Sequence, residues 1–430
     1  MYAITFHRRP VETLVARERA SGPAFELTTL TARSMWVVAT PQLAHEVLHA
    51  PPGTYLAGRA NRRILPVLPE GTVLTLDGDL HRARRRLLAP LFRGDSLDTM
   101  APLIRDIAAG EIARWPVGAP FSVLPRTRIM TLCIAARLLL GVAGQALVSE
   151  LERHLSRALH PYTMLAGIGR LRHLGPASPQ AMARRCRAHF GRGIAEVRGA
   201  RAPEVSGGSA DALDLLCAAP EAGVPLGDAE VVDELFALLL AAHETTATAL
   251  AWALTLLARD PATAATIAAE FGDNERPCLE AVINEVLRVR PPLVDIARET
   301  GQPVRLGERT LAAGTLVLIP PPLVHRHGHT APDVFRADRF LERRPDPRTW
   351  LPFGGGDRRC LGASLALLEL REILAAVLER FELSRSQITA SNRPVVVSRA
   401  WSGFLTAGPP HPNLDSSEQA DCPLNARSMH

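Results

Sequence analysis

The segment FGGGDRRCLG, residues 353–362, constrains this chain most, because it sets one cysteine between a glycine-rich arginine loop and a long apolar segment. Gly354 to Gly356 allow a tight backbone turn that brings N–H groups towards the Cys360 sulfur. Nearby arginines and a helix N-terminus both lower the pKa of a thiol, and the thiolate is the form that binds metals. A structural cysteine is the alternative. The surrounding pattern favours a low-pKa thiolate held against a flat cofactor.

The composition excludes several classes of enzyme. All 49 basic residues are arginine, and the sequence contains no lysine. Pyridoxal enzymes, lysine aldolases and standard P-loop nucleotidases are therefore excluded, since each needs a lysine. The formal net charge of +5 is weak support for nucleic-acid binding, and we expect none.

The six cysteines are scattered and form no C-x-x-C pair. This argues against a disulfide scaffold, a zinc ribbon and covalently attached c-type heme. The N-terminal MYAITFHRRPVETL lacks the apolar segment of a signal peptide, and no run of about 18 apolar residues predicts a membrane span. We therefore expect a cytoplasmic protein.

Most of the chain has apolar residues at helical spacing. Strand-like segments are predicted at 25–40, at 304–319 (two short strands) and at 394–407, and a flexible connection at 199–210. The expected fold class is mainly α with small β-sheets. We expect one domain over residues 1–407 and a disordered polar tail over residues 408–430.

The cysteine segment resembles the heme-binding loop of the cytochrome P-450 monooxygenases, F-x-x-G-x-R-x-C-x-G. The matching residues are Phe353, Gly356, Arg358, Cys360 and Gly362. The resemblance, to the bacterial soluble type, implies that Cys360 is the axial thiolate of heme b (non-covalent iron protoporphyrin IX). It also implies the P-450 fold, with the heme between the oxygen-activating helix and the cysteine-loop helix, over the chain to about residue 407.

The segment EVLR places Glu285 and Arg288 on one helix face, where their charges can pair. The resemblance adds Arg339 in FRADRF as a third member. It implies that the three residues lock the core behind the heme, a structural role.

The apolar segment LLLAAHETTATALAWAL, 238–254, contains Glu244 and Thr245. A buried acid is costly unless it is paired or functional, and a threonine hydroxyl can bond the i−4 carbonyl and locally open a helix. The alternative is that both residues simply face solvent. The resemblance implies that the pair relays protons during dioxygen activation. It also shows a departure, since Ala242 stands where the family usually has glycine.

In GDLHRARRRLL, His81 and Arg85 share a helix face as i and i+4. The resemblance implies that they clamp a heme propionate together with Arg298 and Arg358, a role that suits the planar arginine fork. The remaining arginines of this segment are predicted to form a solvated face that could dock an acidic electron donor: Arg82, Arg84 and Arg86.

The segment HRHGHTAPDVF alternates His325, His327 and His329, which a strand would place on one side. A zinc site is disfavoured, because no carboxylate or cysteine stands at ligand spacing. The segment resembles the family's H-R-D-P motif, with His327 and Gly328 replacing Asp and Pro.

The resemblance implies insertion of one oxygen atom from O2 into a lipophilic small molecule. No flavin or iron–sulfur domain is present, so electrons from NAD(P)H are expected through separate partners, a ferredoxin and its reductase. An acidic ferredoxin is expected to dock near the arginines around Cys360. We expect a monomer.

The substrate pocket is predicted from residues 62–76 together with Ala241, Ala242, Val294, Ile296 and Phe404. These are largely aliphatic, which favours a terpenoid, fatty acyl or polyketide-like substrate and a tailoring role in secondary metabolism. Three alternatives stay open: a peroxide-driven enzyme of the same fold, a non-oxidative heme-thiolate enzyme, and a non-catalytic heme sensor or carrier.

Overall fold

The computed structural model describes most of the chain in segments. They are residues 10–28, 34–65, 67–117, 121–141, 151, 179–200, 211–218, 220–221, 224–271, 276–383 and 388–389. The predicted strand at 394–407, which contains Phe404, and the predicted tail at 408–430 lie outside these residues. So does most of the predicted connection at 199–210.

Thirteen α-helices lie in the described residues. In chain order they are α1 Pro10–Ser21, α2 Pro41–Leu48, α3 Ala57–Ile64, α4 Gly78–Leu88, α5 Asp95–Ile112, α6 Val123–Leu140, α7 Pro179–Ala200, α8 Ala212–Ala218, α9 Asp228–Leu257, α10 Pro261–Ala269, α11 Pro277–Val289, α12 Pro321–Val324 and α13 Ala363–Arg380. Several begin on proline, which suits the first helical position because its missing N–H would have no helical partner there.

Eleven short strands lie in the same residues. They are β1 Ala24–Leu27, β2 Met35–Val38, β3 Tyr55–Leu56, β4 Phe121–Ser122, β5 Pro220–Glu221, β6 Val224–Pro225, β7 Ile296–Thr300, β8 Val304–Leu306, β9 Arg309–Leu311, β10 Leu316–Ile319 and β11 Ile388–Thr389. The main sheet has the order β1-β2-β10-β7-β3, with β2 parallel to β10 and the other pairs antiparallel. The remaining strands form three two-stranded sheets.

Helix α9 is the central element of the core. Glu230 accepts a 2.8 Å hydrogen bond from the Gly227 N–H and so closes the N-terminus of this 30-residue helix. The helix is long and apolar enough to cross a bilayer, but 83% of its most apolar stretch is buried inside the protein. It packs against α6 and α13 and is therefore a core helix of the fold.

The mainly helical fold with small sheets confirms the predicted fold class. Strands β1 and β2 lie in the described parts of the predicted strand segment 25–40, with β1 beginning one residue earlier, but 304–319 form three strands where two were expected. The extra strand arises because two tight turns divide this segment. Gly307 and Gly314 occupy positive φ at these turns, 57° and 78°.

A buried ion cluster ties α11 to the segment 325–340. The Arg288 Nε donates to Glu285 Oε2 at 2.7 Å, and the Arg339 Nε donates to Glu285 Oε1 at 3.1 Å. Arg288 also donates to the Pro332 carbonyl at 2.8 Å. The structure thus brings together the three residues that the sequence grouped, in a position where they brace the backbone that leads to the cysteine loop.

The alternating histidines do not lie on a strand. His325 directly follows α12, and its two ring nitrogens lie 2.9 Å from the Arg288 carbonyl and 2.7 Å from the Leu351 N–H. His327 Nε2 lies 3.1 Å from Glu18. Within the described segments no cluster of three or more metal-ligating side chains occurs.

Candidate functional site

A cavity of about 300 Å³ lies between helix α9 and the cysteine loop. Ala241, Ala242 and Thr245 of α9 line it from one side, and Phe353 and Cys360 line it from the other. Further apolar walls come from α3, from the loop that follows it, and from the segment leading into β7. The space is therefore enclosed by a long helix, a thiol and mostly aliphatic side chains.

The cysteine loop is held in an unusual backbone path. Gly354 and Gly356 have positive φ values of 66° and 61°, and a Cβ on Gly356 would lie 2.0 Å from the Leu48 carbonyl oxygen. The Cys360 N–H donates to the Phe353 carbonyl at 2.8 Å, which closes the loop before α13 begins. Gly356 is thus required by conformation and by its close approach to α2.

The Cys360 thiol lines the cavity and is exposed to the open cavity space. Burial raises its pKa, while the Gly362 N–H, Arg85 and Arg359 act in the lowering direction. The predicted low pKa is therefore wrong in direction for the free thiol, because desolvation outweighs the positive groups. Coordination to a metal would favour the thiolate directly, since a ligating sulfur is deprotonated.

Five arginine and histidine residues line the cavity: His81, Arg85, Arg298, Arg358 and Arg359. Burial, followed by repulsion from neighbouring cations, lowers the pKa of Arg298 to about 10 and that of His81 to about 3. Burial also lowers the pKa of Arg358 to about 10, which the carboxylate of Asp77 partly opposes. So large an excess of buried donors fits a ligand with two carboxylates, as the heme propionates provide.

Asp77 organises this cluster and was missed at the sequence level. Its two oxygens accept the Gly58 and Arg59 N–H groups at 2.8 Å each, at the N-terminus of α3. The same carboxylate accepts from Arg358 at 2.8 Å. An acid at the start of the segment DGDLH was a possible signal, but only the fold shows that it bridges α3 and the cysteine loop.

Arg84 does not lie on a solvated face, contrary to the sequence prediction. Its side chain is buried and forms an ion pair with Glu234 of α9. Glu234 also accepts the Val73 N–H at 3.0 Å, so the pair holds the loop before α4 against α9. The prediction failed because the partner lies 150 residues away in sequence.

Thr245 and Glu244 are adjacent in α9 but face different surroundings. The Thr245 hydroxyl lines the cavity and donates to the Ala241 carbonyl at 2.7 Å, the predicted i−4 bond, yet α9 runs on without a break. The buried Glu244 accepts from the Arg128 Nε of α6 at 2.9 Å and is not part of the cavity wall. Glu244 is therefore a paired buried acid rather than a solvent-facing residue.

The predicted pocket residues divide into three groups. Ala241, Ala242 and Ile296 line the cavity, whereas Val294 is 6% exposed and packs in the hydrophobic core. The prediction for Val294 is therefore wrong, because this side chain packs into the core while Leu293, Asp295 and Ile296 around it line the cavity. Phe404 lies outside the described residues. From the predicted 62–76 segment the wall takes Ile64, Leu65, Val73 and Leu74.

Two acids of the cavity wall were not singled out from the sequence. Asp295 and Glu369 each have a buried carboxyl oxygen with no hydrogen-bond partner in the described structure. Burial raises the pKa of Asp295 to about 7 and raises that of Glu369 well above its ordinary value. A lone acid within the aliphatic LVDIA was the available signal for the first of them.

Comparison with known proteins agrees with this geometry. The family model for cytochrome P450 matches residues 2–400. Cytochrome P450 135B1 of Mycobacterium tuberculosis is 34% identical over 91% of this chain and 85% of its own. Cytochrome P450 137 of the same species is 32% identical over 89% of this chain and 82% of its own.

Solved structures share the fold. The cyanobacterial CYP120A1 with bound retinoic acid superposes with a TM-score of 0.77 at 25% identity, covering 88% of this chain and 89% of that one. CYP175A1 of Thermus thermophilus has a TM-score of 0.70 at 25% identity, covering 87% and 89%. The chain belongs to the cytochrome P450 family and is, at that level, a heme-dependent monooxygenase.

Proposed function

We propose that this protein hydroxylates or further oxidises a lipophilic small molecule, with Cys360 as the axial heme ligand. The observation that carries the proposal is that the Cys360 thiol lines one cavity together with α9 and with His81, Arg85, Arg298 and Arg358. Each of these parts is needed to hold a heme. A heme-thiolate site therefore accounts for all of them together.

The cofactor would be held at three points. Cys360 would ligate the iron, and Phe353, Gly356 and Gly362 would shape the loop around the sulfur. His81, Arg85, Arg298 and Arg358 would bind the propionates. When bound, heme supplies the activation of dioxygen, and the thiolate ligand favours O–O cleavage.

Thr245 and Glu244 would relay protons to the cavity during dioxygen activation. The Thr245 hydroxyl stands at the cavity surface and can hold a proton there, while Glu244 lies behind it in an ion pair with Arg128. Proton transfer from Glu244 would require the pair with Arg128 to loosen, because in the pair the carboxylate is turned away from the cavity. Glu285, Arg288 and Arg339 keep a structural role.

The aliphatic walls support a lipophilic substrate of terpenoid, polyketide or fatty acyl type, which fits a tailoring step in secondary metabolism. CYP120A1 is described with bound retinoic acid, itself a lipophilic ligand. Ala241, Ala242 and Ile296 would contact the substrate. Compared with the glycine that is usual in the family, the methyl group of Ala242 narrows the cavity next to Thr245.

Electrons would come from NAD(P)H through a separate ferredoxin and its reductase, with the protein acting as a monomer in the cytoplasm. Exposed or half-exposed arginines near the cysteine loop, among them Arg82 and Arg359, support docking of an acidic ferredoxin. Since salt screens exposed charges, electron transfer from such a ferredoxin should slow as ionic strength rises. If the electron-transfer rate does not change with ionic strength, the proposal that charge steers the docking of ferredoxin is wrong.

The test of the site is the reduced carbon monoxide difference spectrum. We expect a strongly red-shifted Soret band in the wild type, lost in Cys360→Ser and kept in Cys217→Ser, an exposed cysteine that does not line the cavity. A folded protein with a band typical of imidazole or thiol ligation would contradict the assignment of Cys360. Turnover with donor and O2 against turnover with peroxide then separates a monooxygenase from a peroxide-driven enzyme.

A further inference from the structure

Asp295 is an acid placed in an aliphatic wall of the cavity. It stands between Leu293 and Ile296, on the segment that leads from α11 into β7, and all three line the cavity. Its Oδ2 is shielded from solvent and, among the described residues, accepts no hydrogen bond. Burial raises the pKa of Asp295 to about 7, a hydrogen bond from its own backbone N–H acts in the lowering direction, and no neighbouring charge contributes.

Such a group is unfavourable in the ligand-free protein. A buried polar atom without a partner loses its hydrogen bonds to water and gains none in return. The buried acids Glu234, Glu244 and Glu285 each have an arginine partner, so the fold does supply counter-charges where it buries carboxylates. Asp295 and Glu369 lack such a counter-charge, and both line the cavity, so we infer that a partner for Asp295 comes from outside the chain.

The side of the cavity on which Asp295 stands also matters. Strand β7 follows it and pairs with β3, which runs directly into α3. Helix α3 packs on β7 and contributes Ile64 to the aliphatic wall. Glu369, the other unpartnered acid, follows Cys360 on α13 instead. Asp295 is therefore the acid that belongs to the aliphatic wall.

We propose that Asp295 binds a protonated amine of the substrate, so that this enzyme acts on a lipophilic, mainly aliphatic compound that carries a basic nitrogen. The ammonium N–H donates to the carboxylate, and the two opposite charges are buried together while the aliphatic skeleton fills the remaining wall. A charge-assisted hydrogen bond of this kind is stronger than one to a neutral alcohol. A substrate that carries a carboxylate would be disfavoured there, since its negative charge would meet that of Asp295.

This inference rests on the proposed function and is tested on the heme-loaded protein. The probes share one chain: N,N-dimethyldecylamine, decyltrimethylammonium, decanol and decanoic acid. The tertiary amine is hindered as an iron ligand, and the quaternary ion keeps the charge without an N–H. Binding is followed by the spin-state shift of the heme and by titration calorimetry.

We expect the wild type to bind the tertiary amine about tenfold or more tightly than decanol, and decanoic acid least. Asp295→Asn should weaken amine binding by about 10- to 100-fold and leave decanol binding unchanged. The control Asp79→Asn removes the same charge from an exposed position and should alter neither. Partial retention of affinity for the quaternary ion would show that charge contributes beside the hydrogen bond.

Equal affinity of the wild type and Asp295→Asn for the amine overturns the inference, as does a preference for decanol or decanoic acid, or failure of both amines to bind. Asp295→Asn should also unfold at the wild-type temperature or above it, because it removes an unpaired acid. A lower midpoint would assign the carboxyl a structural role instead. If the thiolate carbon monoxide band is present and the amine preference is absent, only this inference fails, whereas loss of the band removes the proposed function itself.

Discussion

Gly354 and Gly356 of the cysteine loop share the same backbone strain but differ in the space around them. Both have φ values near +60°, where a residue with a Cβ loses about 1–2 kcal/mol. A Cβ on Gly354 would meet its nearest atom at 3.8 Å, whereas on Gly356 it would meet the Leu48 carbonyl oxygen at 2.0 Å. We therefore expect Gly356→Ala to destabilise the protein by about 1–3 kcal/mol more than Gly354→Ala.

Denaturant unfolding and heme content of the two variants check this expectation. Gly354→Ala is the matched control, because it introduces the same methyl under the same backbone strain. Similar losses for both variants would mean that α2 yields easily and that the contact with Leu48 does not fix the loop.

His325 gives a prediction for pH. It is buried, and burial lowers its pKa from the ordinary 6.5 to about 3. Between these two values the unfolded chain binds a proton that the folded protein does not, so stability falls as the pH falls. The slope due to one such group approaches about 1.4 kcal/mol per pH unit. Unfolding free energies from pH 7 to pH 4 should therefore fall more steeply for the wild type than for His325→Gln.

The glutamine variant is less stable at neutral pH, since it disturbs the contacts to Arg288 and Leu351. Only the slope is diagnostic. Parallel curves for the two proteins would show that folding does not lower the pKa of His325.

At the scale of elements, the pair of Arg84 and Glu234 joins α4 to α9 and fixes the loop that carries Val73. Both side chains are almost fully buried. Removing one charge of a buried pair leaves the other poorly compensated, so Glu234→Gln should cost about 3–5 kcal/mol. The double variant Arg84→Met with Glu234→Gln should recover a large part of that loss, because the two desolvation penalties disappear together.

Chemical denaturation of the single and double variants measures this coupling. The exposed pair of Arg198 and Asp228 is the control, and Asp228→Asn should change stability by less than about 1 kcal/mol. If the double variant is as unstable as the sum of the single variants, the two side chains act independently and the loop is held by other contacts.

The pair of Arg84 and Glu234 could not be predicted from the sequence, because it joins two helices that are distant in the chain. Helices and the cysteine loop are specified by neighbours in the chain, so spacing and glycine content are enough to predict them. Arg84 was assigned to solvent because its sequence neighbours are arginines, while its carboxylate partner belongs to another helix. The third strand within 304–319 was missed for a simpler reason, since Gly307 and Gly314 mark two turns rather than one.

At the scale of the whole molecule, the site is predictable in its residue types and less so in its environment. Cys360, Thr245 and the cationic residues were named from motifs, and the structure brings them to one cavity. The raised pKa of the Cys360 thiol was not predicted, because desolvation depends on packing of the whole protein. Asp295 was not singled out either, since an unpartnered acid can be identified only when all its neighbours are known.

The cavity divides the molecule into a part that depends on the cofactor and a part that does not. Helices α9 and α13 and the cysteine loop border the cavity, where Arg358 is repelled by Arg85 and Arg298 and pairs with Asp77. Strands β2 and β10 contribute no residue to the cavity wall, and Glu285 pairs with both Arg288 and Arg339. Ligands stabilise the folded state they bind, so removal of heme should lower the unfolding temperature.

Hydrogen exchange of the heme-loaded and heme-free proteins tests this division. Amides of residues 353–362 and of α9 near Thr245 should exchange faster after heme removal, whereas β2, β10 and α11 should change little. Phosphate should partly restore protection around Arg298 and Arg358, because an anion relieves the repulsion between the buried cations. An equal rise of exchange over β2 and β10 would mean instead that the heme supports the whole fold and not only the walls of its cavity.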